Sequence, residues 1–400
     1  MTNHRARRVR SAAAFRLTGV ARLASALATA LATASTGALA GCTATTNIYT
    51  DAAGLMDVQA APSPVITQPN DATYPDAVLA AVRGITAPDL VDTIEHLASD
   101  HMNGRHWKSV EGFMAAGWIA GRMHALGLEP CAADGTWFDP LAGHDDASPN
   151  VMGRIRGTGD GIVLVGGHYD HLRRATDKPA GADVIYNGAD DNASGISAML
   201  AVAEALLKVH AGTPLKSTVI FVGFSGEESG LRGSRDIAAN PPFDLDQMRG
   251  LYNMDMISRG KENLICVDGP IRSPRLAAAL RRANTVVGLD FSWDEHPDWL
   301  PRSDQAPFLA KDRQAVLFSV EDHEDYHQVT DHADKVLPKL VERTTRLVAL
   351  AAWDVAMDDG PVAPAVKDPR PQRRRRGGEG EEHDARGDHD HDHGDDHVHR

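Results

Sequence analysis

The chain has 400 residues, a formal charge of −14 and a sequence pI near 5.7, a balance that argues against a nucleic-acid partner. Its content of 42% hydrophobic and 24% charged residues is that of a globular protein, with length enough for one large domain and a thick core. No internal repeat shows, and no apolar stretch after residue 45 reads as long enough to span a bilayer.

In chain order, a targeting segment comes first. Arg5, Arg7, Arg8, Arg10 and Arg16 precede an Ala/Leu-rich run over 23–40 that closes on Leu39-Ala40-Gly41-Cys42. That tetrapeptide resembles a bacterial lipobox, so residues 1–41 are expected to be a lipoprotein signal peptide and Cys42 the lipidated first residue. The expected location is the cell envelope, with the anchor in the outer membrane and residues 42–74 as a flexible tether.

From 75 to 357 helical and strand periods alternate. Helical spacing covers 89–98 and 110–126; strand-like runs cover 151–156 and 162–165, the second leading into Gly166-Gly167-His168. A long helix is predicted over 192–210, then a nearly all-apolar strand over 217–224, a pattern of burial on both faces. Strands follow at 251–256 and 264–267, a helix at 274–287, a strand at 315–320 and a closing helix at 333–357. This alternation predicts an α/β fold, a mostly parallel central sheet with helices on both faces, forming a single catalytic domain. Residues 358–400 hold an Arg run and alternating Asp and His, a composition that predicts a disordered tail.

Five segments place a metal-capable side chain at or just beyond a strand-like run: His168 in GGHYDH, Asp190 in GADDNASG, Glu228 in FSGEESGLRGS, Asp255 in NMDM and His327 in EDYHQVTD. Imidazole and carboxylate are donors that zinc accepts, and ligands of open α/β sheets collect at the carboxyl ends of strands. A pair of metals would lower the pKa of a shared water and polarise a carbonyl, and Glu227, directly before one ligand, is the candidate general base. Asp170, two residues beyond His168, is placed to accept the His168 ring N–H and fix its tautomer. His171 and His323 lie near these motifs without an assigned role, Tyr326 is a candidate contact to the reacting oxygen, and Asp304 in SDQAPF reads as a helix cap. Cys131 and Cys266 lack CxxC spacing; a disulfide between them or two buried thiols are both open.

These segments, with the lead-in HLASDHMNGR, resemble the co-catalytic di-zinc aminopeptidase family: bacterial leucyl aminopeptidases and aminopeptidase Y, with glutamate carboxypeptidase and glutaminyl cyclase more distant. The resemblance implies two Zn2+ ions, with Asp190 bridging them, His168 and Asp255 completing one set and Glu228 and His327 the other. It also implies a cis bond between Asp190 and Asp191, and peptide substrates cleaved at the N-terminus. A carboxypeptidase of the same fold is the alternative; it needs a basic pocket, for which Arg232, Arg259, Arg302 and Arg313 are candidates. Glutaminyl cyclase is the other. Trp293, Trp299 and Phe308 are candidate walls of the side-chain pocket.

Overall fold

The computed structural model describes residues 74–370. The expected signal, lipidation site and tether, and the Arg/Asp/His-rich run from 371, lie outside the described residues. Helices are α1 Asp76–Arg83, α2 Ala87–Leu97, α3 Val110–Leu126, α4 Gly195–Gly212, α5 Arg232–Ala239, α6 Pro274–Val287, α7 Ala306–Ala310 and α8 Pro338–Met357. Strands are β1 Glu129–Pro130, β2 Phe138–Asp139, β3 Asn150–Ile155, β4 Ile162–His168, β5 Thr218–Phe224, β6 Met248–Met254, β7 Leu264–Asp268, β8 Asp290–Trp293 and β9 Ala315–Ser319.

The nine strands form one sheet in the order β1-β3-β5-β4-β6-β9-β7-β8, with β2 also on β3. The central strands β5, β4, β6 and β9 are mutually parallel. Antiparallel joins flank them at β3–β5 and β7–β9. The sheet is thus parallel where the site sits and mixed at its margins.

Period-two alternation sorts the strand side chains into two cores. Val163, Val165, Val219, Phe221, Tyr252 and Met254 face a cluster with α1, α2, α4, α6 and α8. Ile162, Leu164, Ile220, Val222 and Leu251 face the opposite cluster, covered by Ile237 and Ala238 of α5 and Phe308 and Leu309 of α7. Helices therefore lie on both faces, and each such fully buried aliphatic or aromatic contributes about 1.5–3 kcal/mol. Helix ends follow local chemistry. Ser109 caps α3 by accepting the Gly112 N–H, and Gly127 ends it at φ 94°. Pro338 stops a helix from running through from 333; residues Ala333–Lys335 form only a short turn.

Two expectations need amending, and the open reading of the cysteines closes on buried thiols. The segment Ala189–Gly212 is long and apolar enough to cross a membrane, contrary to the reading above, but 61% of its apolar window is buried inside the protein. Residues 358–370, assigned from composition to the disordered tail, are laid along the domain: Val366 N–H donates to Arg272 O, Ala365 N–H to Asp312 O, and Arg370 to Asp294 O. Backbone pairing with loops and ion pairs such as Lys216–Asp359 hold this strap without an apolar core of its own. Cys131 and Cys266 are both free and buried.

Candidate metal centre

The carboxyl ends of β4, β5, β6 and β9 deliver His168, Glu227 and Glu228, Asp255 and the 321–327 segment to one cleft of about 800 Å3. Gly167 lets β4 approach β6 closely: a Cβ there would sit 2.4 Å from the Met254 carbonyl. The fourth contribution comes from the irregular turn Ala189–Ser194 that opens α4. Asn192 pins this turn to the end of β6, donating to Met254 O and accepting from Gly195 N–H. Gly188 precedes it at φ 59°, where a Cβ would lie 2.1 Å from Asp191 O and 2.7 Å from the His171 ring.

This turn presents Asp191, not Asp190, to the cleft. Asp191 Oδ1 lies 3.3 Å from His168 Nε2, whose other neighbour is Asp255 Oδ1 at 3.1 Å. Asp191 Oδ2 lies 3.3 Å from His327 Nε2, which in turn is 3.1 Å from Glu228 Oε2. One carboxylate therefore offers an oxygen to each of two donor sets. Asp190 is turned the other way and its oxygens are already used. Oδ1 accepts the N–H and O–H of Ser258, both at 2.7 Å, and Oδ2 faces His323 Nε2 at 3.0 Å. Successive residues of the turn point in different directions, so the expectation of Asp190 as the bridge is corrected to Asp191. The cis bond likewise joins Asp191 and Asn192 rather than Asp190 and Asp191.

The donor geometry suits cations. His168 Nδ1 lies 3.0 Å from the backbone carbonyl of Asp170, which can only accept, so Nδ1 carries the proton and the Nε2 lone pair faces two carboxylate oxygens. That arrangement needs a positive charge between the groups. Nitrogen-to-oxygen separations of 3.1–3.3 Å are close to the roughly 3.3 Å edge of a tetrahedron with zinc–ligand bonds of about 2.0–2.1 Å. Asp170 thus fixes the imidazole through its main chain. Its carboxylate, expected to do this, lies 3.9 Å from Nδ1 and instead accepts the Glu227 N–H at 3.1 Å, orienting the Glu227 backbone.

Charge is concentrated here. Burial raises the Asp191 carboxyl, but His171, His168 and His327 outweigh it and hold the group well below its ordinary range. Burial, then Asp255, Glu228 and Asp304, push Glu227 well above its ordinary range against the pull of His168. Burial alone would lower both ligand imidazoles. Asp255, Glu227 and Asp191 nevertheless raise His168 well above 6.5, and Asp191 and Glu228 raise His327 to about 10. Without a cation both rings are therefore driven towards the doubly protonated form; for His327 this stabilising contribution is present below pH 6.5 and lost as pH rises through about 10. Zinc needs the neutral rings, so its binding should expel roughly two protons at pH 7 and tighten as pH rises. Calorimetry of zinc added to metal-free protein in buffers of different ionisation enthalpy measures this; zero protons released would show the rings to be neutral.

Sequence reasoning passed over several participants. His171 is buried, and its Nδ1–H donates to Glu228 Oε1 at 2.6 Å, leaving Oε2 toward His327. Ser303 donates to Asp255 Oδ2 at 2.7 Å and is held by Asn253. Asp331 accepts the N–H groups of Asp190 and Asp191. Asp304 caps no helix; it is buried behind His168, Asp255 and Asp170, and burial pushes its carboxyl up to about 7. Tyr326 stacks on His327, with centroids 4.0 Å apart, and lines the cleft. Of the three aromatic candidates only Trp299 lines it; Phe308 is in the core, and Trp293 packs on Phe291.

Arg105 is the deepest support. Fully buried, it donates to the carbonyls of Leu97, Tyr169, Asn187 and Gly188, tying the loop after β4 to the turn that carries Asp191. The segment HLASDHMNGR that carried part of the resemblance ends on this residue. Arg105→Met should leave those carbonyls unpaired and cost at least about 3 kcal/mol, read as a lower denaturation midpoint. A change under about 1 kcal/mol would mean that water replaces the guanidinium.

Donor sets of imidazole and carboxylate sharing one aspartate, at the carboxyl ends of a parallel sheet, define a candidate metal centre. The chain belongs to Peptidase family M28, which it matches over residues 150–352, just over half its length. Leucine aminopeptidase 1 of Trichophyton equinum is 28% identical over 195 residues, covering 48% of this chain and 51% of that protein. The chain thus spans about half the length of the curated relatives it matches. Among solved structures, the LapA aminopeptidase of Legionella pneumophila aligns with a TM-score of 0.58 at 20% identity, covering 72% of this chain and 76% of that one. The zinc aminopeptidase BSAP of Bacillus subtilis aligns at 0.55 and 17%, covering 71% and 98%. A glutaminyl cyclase of Porphyromonas gingivalis aligns at 0.53 and 17%, covering 67% and 97%. At these identities the structural likeness speaks for the fold.

Proposed function

We propose that this protein is a zinc-dependent aminopeptidase that hydrolyses N-terminal residues from peptides. The observation that carries the reading is the Asp191 carboxylate with one oxygen toward His168 and Asp255 and the other toward Glu228 and His327, beside Glu227. His168, Asp191 and Asp255 would hold one zinc and Asp191, Glu228 and His327 a second, with His171 steadying Glu228. Zinc bound there would polarise the scissile carbonyl and acidify the attacking water. Glu227 would take the proton from that water and pass it to the leaving amine. Leucine aminopeptidases among the relatives support cleavage at the amino end.

A specific observation keeps the carboxypeptidase reading in play. Arg173, Arg232, Arg235 and Arg302 line the cleft, and among the described residues none of them is in an ion pair with a carboxylate. Arg259 and Arg313, the other two candidates, are occupied by Asp325 and Asp246. Unpaired guanidiniums favour a carboxylate on the substrate, as an acidic side chain or a chain end. A panel of aminoacyl anilides and N-blocked peptides, with and without chelator, separates the readings. Hydrolysis confined to free-amine substrates, lost with chelator and restored by zinc, is expected; cleavage of N-blocked peptides from the carboxyl end would overturn the aminopeptidase assignment. Cyclisation of N-terminal glutamine without hydrolysis would indicate glutaminyl cyclase.

Lipidation of Cys42 and an envelope location belong to the same proposal, supported by the Leu39-Ala40-Gly41-Cys42 sequence behind a basic, then apolar, leader. Wild type should partition with membranes, and Cys42→Ser should be released or accumulate as the unprocessed precursor; a freely soluble wild type with unmodified Cys42 would sink the idea.

A further inference from the structure

Outside the cleft, Cys266, His296 and Glu321 bring together a sulfur, a ring nitrogen and a carboxylate oxygen, all within 4.8 Å of one another. Their placement follows from the sheet. Cys266 and Asp268 are two residues apart on β7 and so share a face. His296 lies in the loop after β8, and Glu321 follows β9. Asp268 is 1% exposed and holds His296 twice: one oxygen accepts the backbone N–H at 3.0 Å, and the other faces Nδ1 at 3.1 Å. With Nδ1 committed as a donor, Nε2 is the atom left to face Glu321 Oε1, 3.2 Å away, and loses any proton of its own when it takes a cation. A buried carboxylate that orients a histidine so that its free nitrogen faces other donors is the outer support that metal-ligating histidines use.

We propose that Cys266, His296 and Glu321 form a separate site for a zinc-class divalent cation, with Asp268 fixing the His296 ring. The mixed sulfur, nitrogen and oxygen set suits zinc or cobalt and disfavours magnesium and calcium, which take oxygen donors. A tetrahedral zinc with bonds of about 2.0–2.3 Å has ligand-to-ligand edges of roughly 3.3–3.7 Å. The His296–Glu321 separation of 3.2 Å already approaches that edge. The sulfur lies within 4.8 Å of both, and the Glu321 side chain, 62% exposed, opens the path of entry from solvent. As the metal–sulfur bond forms, the Cys266 thiol proton leaves to solvent. Burial, followed by the charge of Glu321, pushes that thiol up to about 12, so in the absence of a cation it stays protonated and unreactive.

A cation there would join β7, the loop after β8 and the segment after β9 at one point. The His296 ring stacks on Trp299 with centroids 3.8 Å apart and planes 14° apart, and Trp299 forms part of the cleft wall. The ion would thus set the position of that wall without touching substrate. The competing explanation is an imidazolium shared by Asp268 and Glu321, which needs no sulfur.

Cobalt(II) added to the purified full-length protein separates the two. A cobalt–thiolate bond gives a near-ultraviolet charge-transfer band that the nitrogen and oxygen donors of the main centre, and the histidines of the C-terminal run, cannot give. The band should appear in wild type, persist in Cys131→Ser and vanish in Cys266→Ser. Glu321→Gln, a change on an exposed side chain, should raise the cobalt concentration for half-saturation of the band at least about tenfold. Unchanged visible absorption from cobalt at the main centre shows that each variant has folded. No band in wild type at saturating cobalt, or a band that survives Cys266→Ser, overturns the proposal.

Discussion

Glu227→Gln should lower kcat by at least about 10²–10⁴-fold while leaving bound zinc at the wild-type level. The side chain lines the cleft and lies within the fields of Asp255 and Glu228, which together with burial raise its proton affinity. Glutamine keeps the volume and one hydrogen-bonding oxygen but cannot take a proton, so transfer from the attacking water to the leaving amine is lost. The fold should be unaffected, because the anchoring contact is made by the Glu227 main-chain N–H to Asp170 Oδ1, which the substitution retains. Glu228→Gln should differ: Glu228 accepts from His171 and faces His327, so zinc content should fall together with activity. Zinc per chain and kcat measured on both purified variants decide the matter. Near-wild-type turnover in Glu227→Gln, or equal loss of metal in both, would show that base and ligand have been assigned wrongly within this pair.

The parts of this molecule that were legible in sequence are those where one physical demand dominates. The all-apolar runs of β4, β5 and β9 can only be buried strands, and the glycines before His168 mark a close backbone approach that the carbonyl of Met254 explains. His168 ends β4 and Asp255 directly follows β6, while Glu228 and His327 lie in the loops after β5 and β9, where the chain must turn and side chains converge. Asp190 and Asp191 were not separable in this way. Both are acids in the same turn, and what distinguishes them is Ser258 and His323 waiting on one side and His168 and His327 on the other. Those partners are distant in sequence, so no local pattern encodes the choice. The same holds for Arg105, whose role lies in four carbonyls from three separate segments, and for Asp304, whose neighbours are assembled only by the sheet. The strap over 358–370 was invisible for another reason: its attachments are main-chain hydrogen bonds and ion pairs to residues distant in sequence, which composition does not report.

The Asp190–Asp191 pair yields the sharpest test of the structure itself. Asp191→Asn removes the charge that two donor sets share, and zinc affinity should fall by more than the roughly 10–100-fold that loss of an outer partner costs, with activity following. Asp190→Asn should leave zinc bound, since its oxygens are committed to Ser258 and His323. Its cost is paid in folding: an amide donor would meet either the Ser258 N–H or the His323 ring, and a buried donor pair left unsatisfied is worth about 1–3 kcal/mol. Asp191→Asn should also cost stability in the metal-free protein, because there its carboxylate is paired with protonated His168 and His327. Equilibrium zinc titration of both metal-free variants separates the two substitutions. If Asp190→Asn loses zinc while Asp191→Asn retains it, the turn faces the other way and the centre is built around Asp190.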